Sequence, residues 1–359
     1  MLILPYVLIC IYLLYFRKKN KNAWLIVALT IIFLSITSKT YADLPNYQPL
    51  FDYYNLNNVN ITISTTNFLW AYLCKFFGFL GFNYRGMVVI LIFINYYIIH
   101  LGLKNFMADE NKFFGLFMIF PAIIQLIQLK FFTAFSIVFL AYSLYIKNGK
   151  YSSIKFILLT IFASLIHSSA SVFLILIFCN NKKLNNNLLL IITIFFSILF
   201  NCNLSIITGL AKKYLSERHF NRYFVNSITP SSIIWILAIF SLWLVCLLIL
   251  KLIISKVDKK ENSKCYEILE KNDKSITLFL LTIPLLFIDR NMHRFLEMGF
   301  CILMLSISLC IRRDNMTKNN VMFLFCISLV LIIAMFIYTP YSSVLQPVFS
   351  YDGFISIFK

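Results

Sequence analysis

Charge is scarce in this chain of 359 residues: only 13% are Asp, Glu, Lys or Arg. Soluble domains carry about 25% charged residues, so a soluble fold is excluded for most of the chain. No polar stretch is long enough for a separate soluble domain. The nine cysteines form no C-x-x-C pair and lie mostly in apolar runs, which predicts small buried side chains rather than disulfides or zinc ligands. Nucleotide-binding loops, G-x-S-x-G, heptads and internal repeats are also missing.

Apolar residues are abundant instead, at 60% of the chain, and they fall in about twelve continuous runs. Backbone groups in lipid must hydrogen-bond internally, so the spans are helices or a closed barrel. Continuous rather than alternating runs exclude the barrel. The sequence therefore predicts an all-α polytopic membrane bundle, one transmembrane domain over 1–359 with about 10–12 helices. Several runs are shorter than the roughly 20 residues of a full span, which predicts broken or re-entrant segments.

Positive charge predicts the orientation of these helices. The net charge is +18, from 32 Lys and Arg against 14 Asp and Glu. We assign this excess to cytoplasmic loops rather than to nucleic-acid binding. The loops so assigned are 17–21, 147–155, 182–187, 256–274 and 312–318. The opposite side then carries the pieces at about 39–85, 209–230 and 289–294.

His167 lies in an apolar stretch that allows two interpretations. In the first, residues 156–179 form a hairpin with His167 at its outer tip, as the flanking cytoplasmic loops require. In the second, the stretch is one helix with His167 at the bilayer centre, which suits the length of a span but breaks the charge rule. A lone histidine is commonly a satisfied core residue. It is also the side chain best suited to proton transfer near neutral pH.

The junction Gln125-x-x-Gln128-x-Lys130 joins two apolar runs with almost no loop. Two amides and a cation are costly in hydrocarbon, which makes them a functional hypothesis. In that hypothesis Lys130 binds a phosphate as a point charge. The alternative is a lysine that extends from a helix end toward the headgroups.

Two arginine pairs have the spacing of one helix face: Arg218 with Arg222, and Arg290 with Arg294. Paired guanidinium groups suit bidentate phosphate binding. For the first pair the alternative is an amphipathic helix on anionic headgroups. For the second it is an ion pair with Asp289.

Asp43, Tyr47 and Asp52 follow the second apolar run in a segment interrupted by prolines. Two carboxylates nine residues apart in a loop could serve as general base and as acceptor for a sugar hydroxyl. A solvated loop is the alternative. The aromatic stretch at 68–82 that follows is predicted to be an interfacial or re-entrant helix.

Three of these motifs, in this order, resemble the EpsG-like branch of the Wzy-type polymerases of O-antigen, capsule and exopolysaccharide. They are Asp43…Tyr47, the junction at 125–130 followed by Ala134, and Ala163…Ile166-His167-x-Ser169-Ala170. The resemblance covers roughly 40–345 and is sharpest over 125–178. The family usually has an arginine where this chain has Lys130, which keeps the charge but not the two-pronged donor geometry.

The resemblance implies a glycosyltransferase of the bacterial inner or plasma membrane. It would polymerise undecaprenyl-pyrophosphate-linked oligosaccharides on the outer side, without nucleotide, metal or other cofactor. Its partners would be these lipid-linked units, the bilayer and, as a further candidate, a chain-length regulator. His167 and Asp43 would be catalytic. The expected substrate-binding residues are Lys130, Arg218, Arg222, Arg290, Arg294, Gln125, Gln128, Tyr47 and Asp52.

Other classes also fit a polytopic protein with exterior cations. A lipid-linked oligosaccharide flippase should have two related halves and cations in a central cavity, and neither is visible in the sequence. An O-antigen ligase would share the donor but transfer the glycan to lipid A core. A membrane O-acyltransferase would take acetyl groups from the cytoplasmic side.

Overall fold

The computed structural model divides the chain into two compact units, 1–174 with 307–359, and 175–306. A single domain over 1–359 therefore stays a prediction, and each unit is described by itself. The structure describes residues 2–15, 22–40, 43–56, 59–61, 67–181, 185–202, 209, 212–213, 230–257, 259, 262–287, 294–311, 318–339 and 341–358.

The first unit is built from helices over its described residues. They are α1 Ile3–Tyr15, α2 Ala23–Thr37, α3 Leu44–Tyr54, α4 Phe68–Phe79, α5 Tyr84–Phe106, α6 Glu110–Ile119, α7 Ala122–Ile127, α8 Leu129–Ile146 and α9 Ser152–Ile166. A 3₁₀ helix, Ser168–Asn180, begins in this unit and ends in the second. After the second unit the chain returns with a long helix and a short π turn, Tyr341–Leu345, followed by Gln346–Val348.

The second unit is also helical where it is described. Its elements are α10 Asn186–Cys202, α11 Pro230–Ser255, α12 Ser263–Phe279, a 3₁₀ helix Leu280–Phe287 and most of α13 Arg294–Ile311. The long helix of the first unit that follows is α14, Lys318–Tyr338.

Four helices of the described chain are long and apolar enough to cross a membrane: Tyr84–Phe106, Leu129–Ile146, Ile234–Ser255 and Val321–Tyr338. Shorter apolar helices of 10–17 residues accompany them, among them α1, α2, α4 and α9. This confirms the predicted all-α polytopic membrane fold with short or broken segments.

Three predicted segments differ from the structure. The apolar run predicted over 113–128 is two helices, because Pro121 has no N–H to continue α6. The predicted loop over 256–274 is largely α12, where Glu267 and Lys271 form an i,i+4 ion pair of 2.8 Å. In the outer piece 39–85, the loop predicted around Asp43 and Asp52 is the helix α3, whereas α4 confirms the helix predicted for the aromatic stretch at 68–82.

Helix directions in the first unit follow from side-chain pairs. Asn95 of α5 donates to Thr133 Oγ1 of α8 at 3.1 Å, and Asn105 donates to Ser143 Oγ at 3.0 Å. The residue numbers rise together, so α5 and α8 run parallel. Tyr145, near the C-terminal end of α8, stacks on Phe156, near the start of α9, with centroids 5.2 Å apart. The helix α9 therefore returns antiparallel to α8.

These directions give the first unit two ends. The lysine end has the C-termini of α1, α5 and α8 and the N-termini of α6 and α9; its described lysines are Lys104, Lys112, Lys147, Lys150 and Lys155. Lys112 is buried there and its Nζ donates to the carbonyl of Leu14 at the end of α1. The His167 end has the N-termini of α5 and α8 and the C-termini of α2 and α9.

Arg85 and the C-terminal tail close the His167 end. The buried guanidinium of Arg85 donates to the carbonyls of Ser35 at 2.6 Å, Ser38 at 2.8 Å and Lys39, which lie at the C-terminal end of α2. The tail, residues 350–358, then crosses both helices. The backbone N–H of Asp352 donates to the carbonyl of Thr37 at the end of α2, at 2.9 Å. The carbonyl of Ile357 accepts from the backbone N–H of Asn83, directly before α5.

The carboxylate of Asp352 anchors this tail and predicts a pH effect. The backbone N–H of Lys39 (2.9 Å), and secondly the Ser350 hydroxyl (3.0 Å), hold the pKa of Asp352 below its ordinary value near 3.9. A lowered folded pKa stabilises the attached tail above the ordinary pKa, and this stabilisation is lost as the pH falls through the folded pKa. We expect acid to loosen the tail of the unaltered protein as the pH falls below the ordinary pKa of the carboxyl, and Asp352→Asn to remove this response. Protease access to Tyr351 and Phe354 measures it, and an equally steep pH response in both proteins would contradict it.

In the second unit a glycine of one helix leaves space for a tryptophan side chain of another. Trp243 of α11 is fully buried, donates from Nε1 to the carbonyl of Ile276 at 3.2 Å, and meets Phe300 edge-on at 5.2 Å. A Cβ on Gly299 of α13 would overlap Cη2 of Trp243. Small residues commonly permit such close approach between membrane helices.

We therefore expect Gly299→Val to destabilise the protein by about 1–3 kcal/mol, because the held indole has to move. Thermal unfolding of the detergent-purified protein measures the effect. Gly149→Ala is the control, since a Cβ there meets no atom within 4 Å. Equal unfolding temperatures for the two variants would contradict the packing argument.

Candidate active site

His167 lies where α9 stops. The helix ends at Ile166, and His167 takes an extended backbone (φ −142°, ψ 113°) before the 3₁₀ helix begins at Ser168. An uninterrupted α-helix over 156–179 is thus wrong, and the break lies where the hairpin interpretation placed its tip. A return of the second arm alongside α9 stays a prediction. The break turns the half-buried imidazole out of the helix at its end.

Two contacts fix the imidazole of His167. Its Nδ1 lies 2.6 Å from Ser169 Oγ, and the ring of Phe131 meets it edge-on with centroids 5.5 Å apart. With the proton on Nδ1, the ring donates to Ser169 and Nε2 keeps its lone pair, as a general base requires. A serine hydroxyl can accept from Nδ1 or donate to it, so this contact holds the ring in place in either tautomer.

Asn67 ties the His167 segment to α4. It precedes α4 in the left-handed conformation (φ 56°), which asparagine adopts more readily than most residues, and its Oδ1 accepts from the backbone N–H of Ser168 at 2.7 Å. The sequence analysis missed this residue. Its only signal was an asparagine directly before an aromatic helix.

Lys130 is the second residue of α8 and is only 8% exposed. Its Nζ lies 6.0 Å from the centroid of the Trp70 ring of α4, at the outer limit of a cation–π contact. Trp70 in turn meets Tyr47 of α3, centroids 6.2 Å apart. At 1% exposure Trp70 positions its neighbours and presents no surface for a sugar.

Three predicted site residues from distant parts of the chain therefore lie at the His167 end. Tyr47 and Lys130 are linked through Trp70, and His167 contacts Phe131, which follows Lys130 in α8 but projects about 100° further around the helix. We call these five side chains the contact chain. Phe131 was missed because an aromatic residue next to a lysine in an apolar run carries no distinguishing pattern.

The two glutamines of the junction occupy different surroundings. Gln125 is wholly buried within α7, so it has no exposed area for a substrate. Gln128 is half-buried between α7 and α8, and its Oε1 has no hydrogen-bond partner among the described residues. A buried acceptor without a donor is costly, so this oxygen suits a hydroxyl donor from outside the described chain.

The two carboxylates flank or lie in a helix and not in the predicted loop; their roles stay a prediction. Leu44–Tyr54 is a helix rather than a loop, because Pro45 lies in its first turn, where proline is favoured. Nine residues of helix put Asp43 and Asp52 about 13 Å apart on opposite faces. Asp43 is four residues from Tyr47 and shares its face, whereas Asp52 is exposed.

The remaining predicted cations are in the second unit. Arg294 begins α13, and its buried Nε has no hydrogen-bond partner among the described residues. Arg218, Arg222 and Arg290 lie outside the described residues. Phosphate binding by these four arginines stays a prediction.

In the described part of the chain, no group of three or more His, Cys, Asp or Glu side chains is placed to hold a metal ion. The expectation of a metal-independent reaction stays a prediction.

Comparison with known proteins identifies one family. A model of the EpsG family matches residues 22–352, nearly the whole chain. No curated protein and no solved structure matches the chain. The match includes every residue of the contact chain.

Proposed function

The chain belongs to the EpsG family of Wzy-like polysaccharide polymerases, and from this premise we propose that it extends a glycan carried on undecaprenyl pyrophosphate. The bond from the anomeric carbon to the pyrophosphate oxygen breaks, and a hydroxyl oxygen of the incoming lipid-linked unit takes that carbon. The hydroxyl proton passes to a base, and the carrier pyrophosphate leaves. The observation that carries the proposal is the placement of Tyr47, Lys130 and His167 at the same end of the first unit.

His167 is the proposed base. Its position after the helix end and the Ser169 contact support a fixed imidazole. In the tautomer with the proton on Nδ1, Nε2 would accept the proton of the hydroxyl. General-base catalysis of this kind contributes about 10²–10⁴ in rate. Asp43, on the Tyr47 face of α3, is the second proposed catalytic residue and would orient the acceptor sugar.

Lys130 is the proposed ligand of the leaving pyrophosphate. A cation in a water-poor site stabilises charge that develops on a departing oxygen more strongly than it would in water. Its low exposure and the Trp70 contact support a held ammonium group rather than a mobile surface lysine. Gln128 Oε1 would accept from a sugar hydroxyl, and Tyr47 would border the sugar.

The distribution of lysines supports an exterior site. Lys104, Lys112, Lys147, Lys150 and Lys155 lie at the end opposite His167, whereas the exposed lysines described at the His167 end are Lys39 and Lys75. By the positive-inside rule the lysine end is cytoplasmic, so the contact chain faces the exterior or periplasm. Lipid-linked units that have crossed the membrane are available on that side.

Deletion of the gene, followed by gel analysis of surface glycan, tests the proposal. We expect a single repeat unit in place of a ladder, with the unpolymerised lipid-linked unit accumulating outside. Loss of all surface glycan with units trapped on the cytoplasmic side would instead indicate a flippase. Full-length polymer that stays on its lipid carrier would indicate a ligase.

A further inference from the structure

The backbone of His167 is held by hydrogen bonds on both sides of its Cα. In the preceding peptide, the N–H of His167 donates to the carbonyl of Ala163 at 3.0 Å. In the following peptide, the carbonyl of His167 accepts from the N–H of Ala170 at 2.9 Å. The N–H of that same peptide, from Ser168, donates to Asn67 Oδ1 at 2.7 Å, although Asn67 lies 101 residues earlier in the chain. The Asn67 bond therefore connects this backbone to another part of the first unit.

The carboxamide of Asn67 caps a helix that is not its own. Ser168 begins the 3₁₀ helix Ser168–Asn180, and the first N–H groups of a helix find no partner within it. The residue directly before a helix normally supplies the oxygen that satisfies such a group. Here that residue is His167, and the oxygen comes from Asn67 instead. This arrangement lets a histidine occupy the position between α9 and the 3₁₀ helix.

The backbone of Asn67 suits this task. Asn67 directly precedes α4, yet its side chain makes no capping bond to α4. Its conformation is left-handed (φ 56°, ψ 51°), a region in which asparagine and aspartate are enriched among residues other than glycine. Glycine adopts this region without steric cost but has no oxygen to offer. The position therefore combines a left-handed backbone with a side-chain acceptor.

Helix α4 also meets Lys130, so one helix contacts both halves of the candidate site. Trp70 lies three residues after Asn67, and the centroid of its ring is 6.0 Å from Nζ of Lys130. Helix α8 separates the two halves, since Phe131, which contacts His167, projects about 100° around the helix from Lys130. The first turn of α4 therefore links the His167 backbone to the Lys130 side chain.

Contacts with α3 hold α4 in place. Asn55, directly after α3, donates from Nδ2 to the carbonyl of Phe51 at 2.8 Å and to that of Cys74 in α4 at 3.2 Å. A Cβ on Gly78 of α4 would overlap the same carboxamide, so the two segments lie in close contact there. Helix α4 is thus anchored by bonds other than the one that Asn67 makes.

We propose that Asn67 is a positioning residue, which fixes the peptide after His167 and thereby sets where the imidazole lies relative to Lys130. The inference rests on the proposed function for the roles of His167 and Lys130. Asn67 acts through a backbone N–H and not on a reacting atom. Because the rate of a reaction depends steeply on the position of a reacting group, loss of this bond should lower turnover.

Three substitutions separate the acceptor from the backbone conformation. Asn67→Gly keeps the left-handed conformation and removes the acceptor, whereas Asn67→Asp keeps both. Asn148→Gly is the matched control, because Asn148 is also left-handed (φ 53°) and lies at the lysine end. A role of the backbone conformation alone would spare both Asn67 variants, whereas a role of the acceptor spares Asn67→Asp only.

The first measurement needs no turnover. Full-length protein in nanodiscs is treated with diethyl pyrocarbonate, which acylates unprotonated imidazole, and modification of the His167 peptide is followed by mass spectrometry. We expect Asn67→Gly to raise the modification rate about tenfold, because a hydrogen bond that holds the segment is lost. Asn67→Asp and Asn148→Gly should match the unaltered protein. Equal rates in all four proteins, or equal increases in both Asn67 variants, would overturn the proposal.

Hydrogen exchange of the unaltered protein serves if Asn67→Gly fails to insert. The N–H of the first residue of a helix has no partner within the helix, so protection of the Ser168 amide is expected only from the Asn67 bond. Exchange of the Ser168 amide at the rate of an unprotected amide would overturn the proposal.

Turnover is the second measurement. In liposomes supplied with lipid-linked repeats, Asn67→Gly should lower kcat about tenfold with KM unchanged, and Asn67→Asp should retain most of kcat. A change confined to KM would overturn the positioning role. Failure of the polymerase proposal would appear as absent turnover in the unaltered protein while the differences in modification remained. Failure of the Asn67 proposal would leave that turnover intact and the modification rates equal.

Discussion

Replacing His167 with alanine is expected to stop chain extension, so that a single repeat unit replaces the glycan ladder. Without the imidazole the acceptor hydroxyl loses its base, and the rate should fall by about 10²–10⁴. Complementation of a deletion strain followed by glycan gels shows the phenotype. The purified protein in liposomes, supplied with lipid-linked repeats, gives the rate.

Two neighbouring serines provide graded controls for His167. Ser169→Ala removes the hydroxyl 2.6 Å from Nδ1 and should cost about tenfold, because the ring stays but its orientation is less constrained. Ser171→Ala removes a hydroxyl that only donates to the carbonyl of Ser168 and should leave the rate unchanged. A normal ladder from well-inserted His167→Ala protein would exclude the base role.

Lys130→Gln is expected to reduce turnover about 100-fold, because an amide of similar length removes the positive charge near the leaving pyrophosphate. Lys130→Arg should retain most activity, since it keeps the charge and adds a second donor. Initial rates across a range of donor concentrations measure the effect. A loss in kcat would place the role in the transition state, as proposed.

Lys75→Gln is the matched control for Lys130. Lys75 lies on α4, as Trp70 does, but it is exposed and its Nζ reaches only the carbonyl of Val59 at 3.4 Å. Equal losses in the Lys75 and Lys130 variants would indicate a general electrostatic effect on lipid binding. Full turnover of Lys130→Gln would exclude pyrophosphate stabilisation by this residue.

The parts of the site that could be predicted were those with a local energetic signature. A lysine and two amides between apolar runs are costly in lipid, so the junction at Lys130 stood out. Charge parity of the flanking loops favoured a break at His167, although the length of the stretch also suited one helix. Both signals come from the position of polar or charged residues relative to the bilayer, which can be recognised from the sequence without tertiary contacts.

The parts that could not be predicted depend on tertiary contacts or on backbone groups. Tyr47 and Lys130 meet through Trp70, and no spacing in the chain encodes that path. The segment 44–54 resembled a loop because of its prolines, although a proline in the first helical turn is stabilising. Arg85 was missed because its partners are main-chain carbonyls, which look alike in any sequence.

The C-terminal tail has a consequence for biosynthesis. Residues 350–358 bind segments that lie 313 and 273 residues earlier in the chain, so the end of α2 and the start of α5 are closed only after that length has been synthesised. A nascent chain interrupted before Asp352 would expose those ends to membrane quality-control proteases. For the same reason, a foreign segment inserted directly after Phe358 would adjoin its contact with Phe82.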